Sequence, residues 1–190
     1  MNIVCVLGSP RYKGNSASIA ERFCRTAEGL GATVTTHAIN KLTYKGCQGC
    51  QKCKTSSDRC VVEDDLAQVL ESIYDADIVV LASPVYMAEV TGQMKCFLDR
   101  MYSFLVPDFM TNPVKSRLAP GKKAVFILTQ ADPDEANHAD IFPRYQLALT
   151  WGGFEEIELI RACAVLDEGD AAARDDIMKL AEDTAKKMIA

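Results

Sequence analysis

The stretch Gly8-Ser9-Pro10-Arg11-Tyr12-Lys13-Gly14-Asn15-Ser16 decides how this chain folds. The apolar run Ile3-Val4-Cys5-Val6-Leu7 leads into it, and Ile19, Ala20, Phe23, Ala27 and Leu30 recur behind it at three- and four-residue spacing. A buried strand, a glycine-bounded loop and an amphipathic helix therefore follow one another. In an α/β sheet such a junction attracts anions, because helix-start N–H groups converge on it and the helix dipole favours negative charge. The hydroxyls of Ser9, Ser16 and Ser18 and the guanidinium of Arg11 add side-chain donors. The stretch reads as a phosphate grip. The alternative is an ordinary strand-to-helix turn with Asn15 or Ser16 as its N-cap.

Working outward, strand and helix patterns alternate. Gly29 and Gly31 stop the first helix, and Ala32 to Ile39 is a β-branched second strand. Residues 45–60 carry no hydrophobic period and read as a loop. Glu63-Asp64-Asp65 then suit the first turn of a helix reaching about Tyr74, with Leu66, Val69, Leu70 and Ile73 as its stripe. Asp77 to Ser83 is the third strand, and Pro84 is expected to end its ladder. Helical spacing runs from Val90 to Leu105, with Lys95 and Asp99 paired on its outer face. Pro107 to Gly121, holding three prolines, reads as a surface excursion. Ala124 to Thr129 is the fourth strand, a helix covers about 139–150, and Ile157 to Cys163 is the fifth strand. Asp170 is expected to cap a last helix striped by Ile177, Leu180, Ala181, Thr184 and Met188. Five strand–helix alternations imply a doubly wound parallel α/β sheet in the order 2-1-3-4-5. Ligand loops then follow strands one, three and four: Ser9–Ser16, Ser83–Met87 and Thr129–Pro133, the last beginning with Gln130.

Composition narrows the function. At 190 residues, 48% apolar and 25% charged, the chain fits one globular domain spanning 1–190. A net charge of -5 argues against nucleic acid as the main partner. No apolar run approaches membrane-spanning length. Met1 is followed almost at once by the first strand, leaving no room for a signal peptide, so the expected location is the cytoplasm. There is no G-x-S-x-G elbow, and His37 and His138 are the only histidines, which disfavours a hydrolase.

The first loop is neither G-x-G-x-x-G nor G-x-x-x-x-G-K-[ST], so dinucleotide and triphosphatase fingerprints are absent. One phosphate with polar donors points to a mononucleotide. Pro84 and Tyr86 offer apolar surface for a flat ring, and the backbone of Val85 to Ala88 offers N–H donors. Gly8-Ser9-Pro10-Arg11, Gly14-Asn15-Ser16, Ser83-Pro84-Val85-Tyr86 and Lys95-x-Phe97-x-Asp99-Arg100 together resemble the NAD(P)H-dependent FMN reductase superfamily. The resemblance covers roughly residues 1–130. It implies a flavodoxin-like fold that binds FMN. By that likeness Ser9, Arg11, Gly14, Asn15 and Ser16 take the phosphate, Pro84, Val85, Tyr86 and Met87 take the isoalloxazine ring, and Gln130 joins the site.

The remaining signal is cysteine. Cys5, Cys24, Cys96 and Cys163 sit inside apolar patterns and read as core. Cys47, Cys50, Cys53 and Cys60 instead form C-x2-C-x2-C-x6-C within an insertion at about 45–62. A structural zinc site more often uses two separated C-x2-C pairs, whereas a tight triplet with a fourth cysteine nearby suits a [4Fe-4S] cluster. Lys45, Lys52, Lys54 and Arg59 face only Asp58, a local excess of three positive charges that suits an anionic cluster. Zinc, and empty thiols or transient disulfides, stay open as alternatives. With this motif the chain resembles the iron–sulfur flavoprotein branch of the superfamily. The expected function is a flavoprotein oxidoreductase passing electrons between a [4Fe-4S] cluster and FMN, with a ferredoxin-like protein or NAD(P)H as redox partner. A homodimer or homotetramer would bring cluster and FMN together if the loop reaches a neighbouring subunit. The cysteine loop leaves the second strand and is expected near the flavin end of the sheet. The alternatives are an NAD(P)H-dependent FMN or quinone reductase with an inert or zinc-binding cysteine loop, and a non-enzymatic flavin carrier.

Overall fold

A computed structural model describes residues 1–190. Every second residue of a strand faces the same side of its sheet, and here both sides are apolar. Ile3, Cys5 and Leu7 of strand β1 (Asn2–Leu7) join Ile78, Val80 and Ala82 of β3 (Ile78–Tyr86) on one face. Helices α1 (Asn15–Gly29) and α6 (Asp175–Ile189) cover that face through Ile19, Phe23, Ile177 and Met188. Val4, Val6, Val79 and Leu81 face the other way. They meet Leu66 of α3 (Asp65–Ser72), Phe97 of α4 (Gly92–Arg100) and Leu149 of α5 (Ile141–Trp151). Helix cover on both sides is why the strands read as unbroken apolar runs.

The parallel sheet has the order β2-β1-β3-β5-β6, where β2 is Thr33–Ala38, β5 Lys122–Thr129 and β6 Phe154–Ala162. This is the expected 2-1-3-4-5 order, because β4 (Glu89–Val90) only pairs antiparallel with the end of β3. β1, β3 and β5 lie side by side, so the three ligand loops leave the same sheet edge together.

Four local expectations need correction. β3 does not stop at Pro84. That residue lies opposite Thr129 on the last rung of the β3–β5 ladder, where one missing donor is tolerated. The strand runs on to Tyr86 and turns through Met87 and Ala88, both with positive φ (48° and 63°), as a two-residue hairpin requires. Consequently Val90 belongs to β4, and α4 begins after Thr91, whose hydroxyl accepts the Met94 N–H at 3.1 Å. That helix ends at Arg100, and a 3-10 turn carries on to Phe104. The cysteine loop contains a one-turn helix α2 (Lys52–Thr55), entered through Gln51 at φ 58°. Asp170 does not cap α6. Its carboxylate accepts the N–H groups of Leu166 and Asp167, both at 2.8 Å, and α6 starts five residues later.

Candidate functional site

The phosphate-type loop is held from both sides. Gly8 donates to the Ala82 carbonyl at 2.8 Å, and its own carbonyl accepts the Thr91 hydroxyl at 2.7 Å. A Cβ on Gly8 would stand 2.8 Å from Met94 Cβ, so only glycine lets β1 and α4 approach this closely. Gly14 is the N-cap of α1 and uses no side chain, so neither Asn15 nor Ser16 caps the helix. A Cβ at Gly14 would crowd the Arg11 carbonyl at 3.1 Å and Ser9 Oγ at 3.3 Å. The N–H groups of Asn15, Ser16 and Ala17 form the open start of α1, which has no intrahelical acceptors to offer them.

The side chains divide into free and committed donors. Ser16 is buried, and its hydroxyl has no protein partner. Ser9 Oγ accepts the Arg11 N–H at 3.1 Å and keeps its own proton to donate. Arg11 reaches the Leu166 carbonyl at 3.0 Å from an exposed position. Both amide atoms of Asn15 are engaged: Nδ2 donates to the Asp167 carbonyl and Oδ1 accepts the Ala171 N–H, both at 3.0 Å. Its side chain thus ties α1 to the loop after β6, and its backbone N–H is what it presents at the helix start.

The hairpin overhangs the same edge. Pro84 and Val85 are half-buried, while Tyr86 and Met87 are exposed. Glu89 accepts the Tyr145 hydroxyl at 3.0 Å and pairs with Arg144 at 3.2 Å, which fixes the hairpin against α5. Burial, then the Glu89 carboxylate, pushes the Tyr145 phenol well above its ordinary range. Gln130 is buried. Its amide donates to the carbonyls of Asp132 and Asp134, and its oxygen accepts the Arg161 guanidinium at 2.6 Å. The side chain braces the third loop and has no free face for a ligand.

The four loop cysteines line one small cavity of about 20 Å³, together with Val62, Arg100, Tyr102 and Ser103. No three of them converge as they would around a single ion. A cubane asks less convergence, since each thiolate binds a different iron. Cys47 and Cys50 are exposed, and Cys53 and Cys60 half-buried. Burial pushes the Cys53 thiol up, with Lys54 pulling the other way.

Arg100 is the unusual wall. Its side chain is 0% exposed. Nη1 donates to Asp64 Oδ2 at 2.8 Å and to the Lys45 carbonyl at 3.1 Å, and Nη2 donates to the Val62 carbonyl at 3.0 Å. Its Nε–H is buried without any acceptor. Such a donor costs about 1–3 kcal/mol, more when charged, unless a ligand takes it. Two further cations close the surroundings: Arg117 donates to the Cys53 carbonyl at 2.9 Å, and Lys54 donates to the carbonyls of Tyr102 and Leu105 at 2.6 and 2.7 Å.

The cavity does not lie at the sheet edge. Tyr44 donates to the Gln93 carbonyl, Gly46 lies against Cys96, and the cysteines reach Arg100 and Tyr102. The loop thus follows α4 to its far end at Arg100, roughly 13–14 Å along the helix from Thr91 at about 1.5 Å per residue.

The family profile described as NADPH-dependent FMN reductase matches residues 1–146. The chain belongs to this family. Among its relatives is an iron-sulfur flavoprotein of Archaeoglobus fulgidus, 36% identical over 104 residues, which covers 55% of this chain and 47% of the relative. An iron-sulfur flavoprotein of Methanosarcina thermophila is 30% identical over 122 residues, covering 64% and 63%. The chain thus spans roughly half to just under two thirds of these relatives. Solved structures share the fold along its whole length. An FMN-dependent NADH-azoreductase from Bacillus anthracis in complex with FMN superposes with a TM-score of 0.75 at 13% identity, covering 100% of this chain and 99% of its own. An NAD(P)H:quinone oxidoreductase from Methanothermobacter marburgensis gives 0.73 at 14% identity, covering 100% and 98%.

Within this family fold, sequence reasoning missed Arg100, Arg117 and Tyr102 as neighbours of the cysteines. One signal was available for Arg100: it falls three residues after Phe97 on the apolar stripe of α4, where a charge demands partners. Arg117 left none, since it lies in the proline-rich excursion. Cys96 and Cys163, expected in the core, are only half-buried.

Proposed function

We propose that this protein is an FMN-dependent flavoprotein oxidoreductase that exchanges electrons between FMN and a [4Fe-4S] cluster held by Cys47, Cys50, Cys53 and Cys60. One observation carries the reading: a chain of the FMN reductase family surrounds a cavity with four cysteines and a buried, acceptorless arginine N–H. Residues 1–190 are read as one domain with the cysteine insertion at about 45–62.

For a phosphate there are the free Ser16 hydroxyl, the Ser9 proton, the helix-start N–H groups, and Arg11, which can exchange the Leu166 carbonyl for an anion. Asn15 contributes backbone only, and Gly14 keeps the loop tight. For the flavin ring there are Pro84, Val85, Tyr86 and Met87 on an anchored hairpin, with Gln130 holding the neighbouring loop in shape. For an anionic cluster there are four cysteines and the Arg100 cation.

When bound, FMN takes one or two electrons and the cluster one at a time, so the pair can join single-electron carriers to two-electron donors. The chain offers no dinucleotide fingerprint and hence no separate nicotinamide pocket. NAD(P)H would dock in the open cleft above the flavin and leave before an acceptor enters. A reduced ferredoxin-like protein suits the cluster side. The cavity lies at the far end of α4 from the phosphate loop, so the cluster of one chain and the FMN of another are the natural pair in a homodimer or homotetramer. A 400 Å³ apolar cleft lined by Leu98, Met101, Tyr102, Leu105, Leu149 and Trp151 adjoins the cavity through Tyr102 and offers a face for the second copy. A reducing cytoplasm would keep the thiols available.

An anaerobic reductive titration tests the proposal. Wild type should take up about three electrons per chain, two for FMN and one for the cluster, and Cys60→Ala about two. Two electrons in wild type would favour the second reading, an NAD(P)H-dependent FMN or quinone reductase without a cluster, to which the solved neighbours of full-length coverage lend support.

A further inference from the structure

We infer that Arg100 is a positioning residue for the cysteine-held group: its Nε–H donates a hydrogen bond to an anionic sulfur there and raises the reduction potential of that group. The inference rests on the cluster reading above and adds a residue that is not a ligand.

Three observations carry it. First, Arg100 lines the cavity that all four cysteines line. Second, its side chain is wholly buried, and the Nε–H is the one side-chain polar atom fully shut off from solvent without a protein partner. Arginine cannot shed its proton, so both charge and donor persist at every working pH. Native chains rarely strand such a group unless something outside the chain satisfies it. Third, the fork is fixed. Asp64 and the carbonyls of Lys45 and Val62 hold both Nη atoms. Asp64 is itself held by the N–H groups of Lys45 at 3.0 Å and Leu66 at 3.1 Å. A residue serving only to fasten the loop is satisfied by these contacts and has no use for Nε. The same three contacts make it a preorganised donor that neither swings nor is lost to water.

The sign follows from charge. A hydrogen bond to sulfur favours whichever state carries more negative charge, and that is the reduced one. Asp64 offsets part of the guanidinium charge but cannot replace the donated proton.

Arg100→Lys tests this, because lysine keeps the charge and can still reach Asp64 but has no Nε–H. Wild type and variant are reconstituted anaerobically with iron and sulfide, and the cluster is titrated by electron paramagnetic resonance. The variant should bind FMN and iron like wild type. Its reduced-to-oxidised ratio at a fixed poise should fall about tenfold, a drop of about 59 mV for a one-electron couple. An unchanged ratio with a full complement of iron overturns the role of Arg100 and leaves the cluster standing. A wild type that takes up no iron overturns the cluster reading and this inference with it. Should the variant not fold, wild type grown on 15N-arginine provides a second test of the same hydrogen bond. The reduced cluster should show a 15N hyperfine coupling that survives Arg117→Lys, and its absence overturns the inference.

Discussion

Asn15 and Ser16 are adjacent on the first turn of α1, yet only one has a side chain free for a ligand. Asn15 spends both amide atoms on the loop after β6, whereas Ser16 is buried with its hydroxyl unpartnered. Ser16→Ala should therefore weaken FMN binding by about 1–3 kcal/mol while leaving the melting temperature of the flavin-free protein nearly unchanged. Asn15→Ala should lower that melting temperature, because it strands the buried Ala171 N–H. Flavin fluorescence titration and thermal denaturation of both variants separate the two effects, and equal effects on both measurements would contradict the division. At this scale the sequence singled out the stretch but could not show which of its donors are already engaged within the chain. The partners of Asn15 lie more than 150 positions away in a loop without regular structure. The burial of Gln130 beneath Arg161 was illegible for a related reason: that partner is 31 positions away, on the neighbouring strand β6.

Among the elements, the junctions of α4 carry the consequences. Its N-terminus packs on the phosphate loop at Gly8, so Gly8→Ala forces Met94 aside and should cost about 1–3 kcal/mol of stability by chemical denaturation. At its C-terminus, Arg100 joins Asp64, the N-cap of α3. Asp64→Ala leaves that buried cation unpaired and should cost about 3–5 kcal/mol. Burial pushes the Asp64 carboxyl up, but the Lys45 N–H and the Arg100 guanidinium outweigh it and hold the group below its ordinary range. A carboxyl depressed in the folded state adds stability above its unfolded pKa of about 3.9, and the gain is lost as pH falls through the folded value. The melting temperature of wild type should thus fall more steeply from pH 5 to pH 3 than that of Asp64→Asn; parallel curves would contradict the pairing. The central strands β1, β3 and β5 were legible because two-sided burial writes itself as continuous apolar runs. The hairpin after β3 was not, since its turn uses Met87 and Ala88 where glycine or asparagine would have announced positive φ. Asp170 misled because the same carboxylate that can cap a helix can equally clamp a turn.

Over the whole molecule, one feature of the sequence predicts chemistry that the fold alone does not. The fold is what family membership leads one to expect, and neighbours at 13–14% identity share it along the whole chain. The C-x2-C-x2-C-x6-C spacing was plain in the sequence, but its place was not. The expectation that the loop stays near the flavin end gives way to a course along α4, because Tyr44, Gly46 and Cys53 are each fastened to that helix or to the segments beyond it. The proposed cluster and flavin sites are therefore separable, and losing one should spare the other. The most direct measurement is iron and FMN per chain in wild type and in the eight single cysteine-to-alanine variants after anaerobic reconstitution. About four irons and one FMN are predicted for wild type and for the variants at Cys5, Cys24, Cys96 and Cys163. Lost or degraded iron with full FMN is predicted for those at Cys47, Cys50, Cys53 and Cys60. Equal iron in all eight variants, or a single zinc in wild type, would contradict the account.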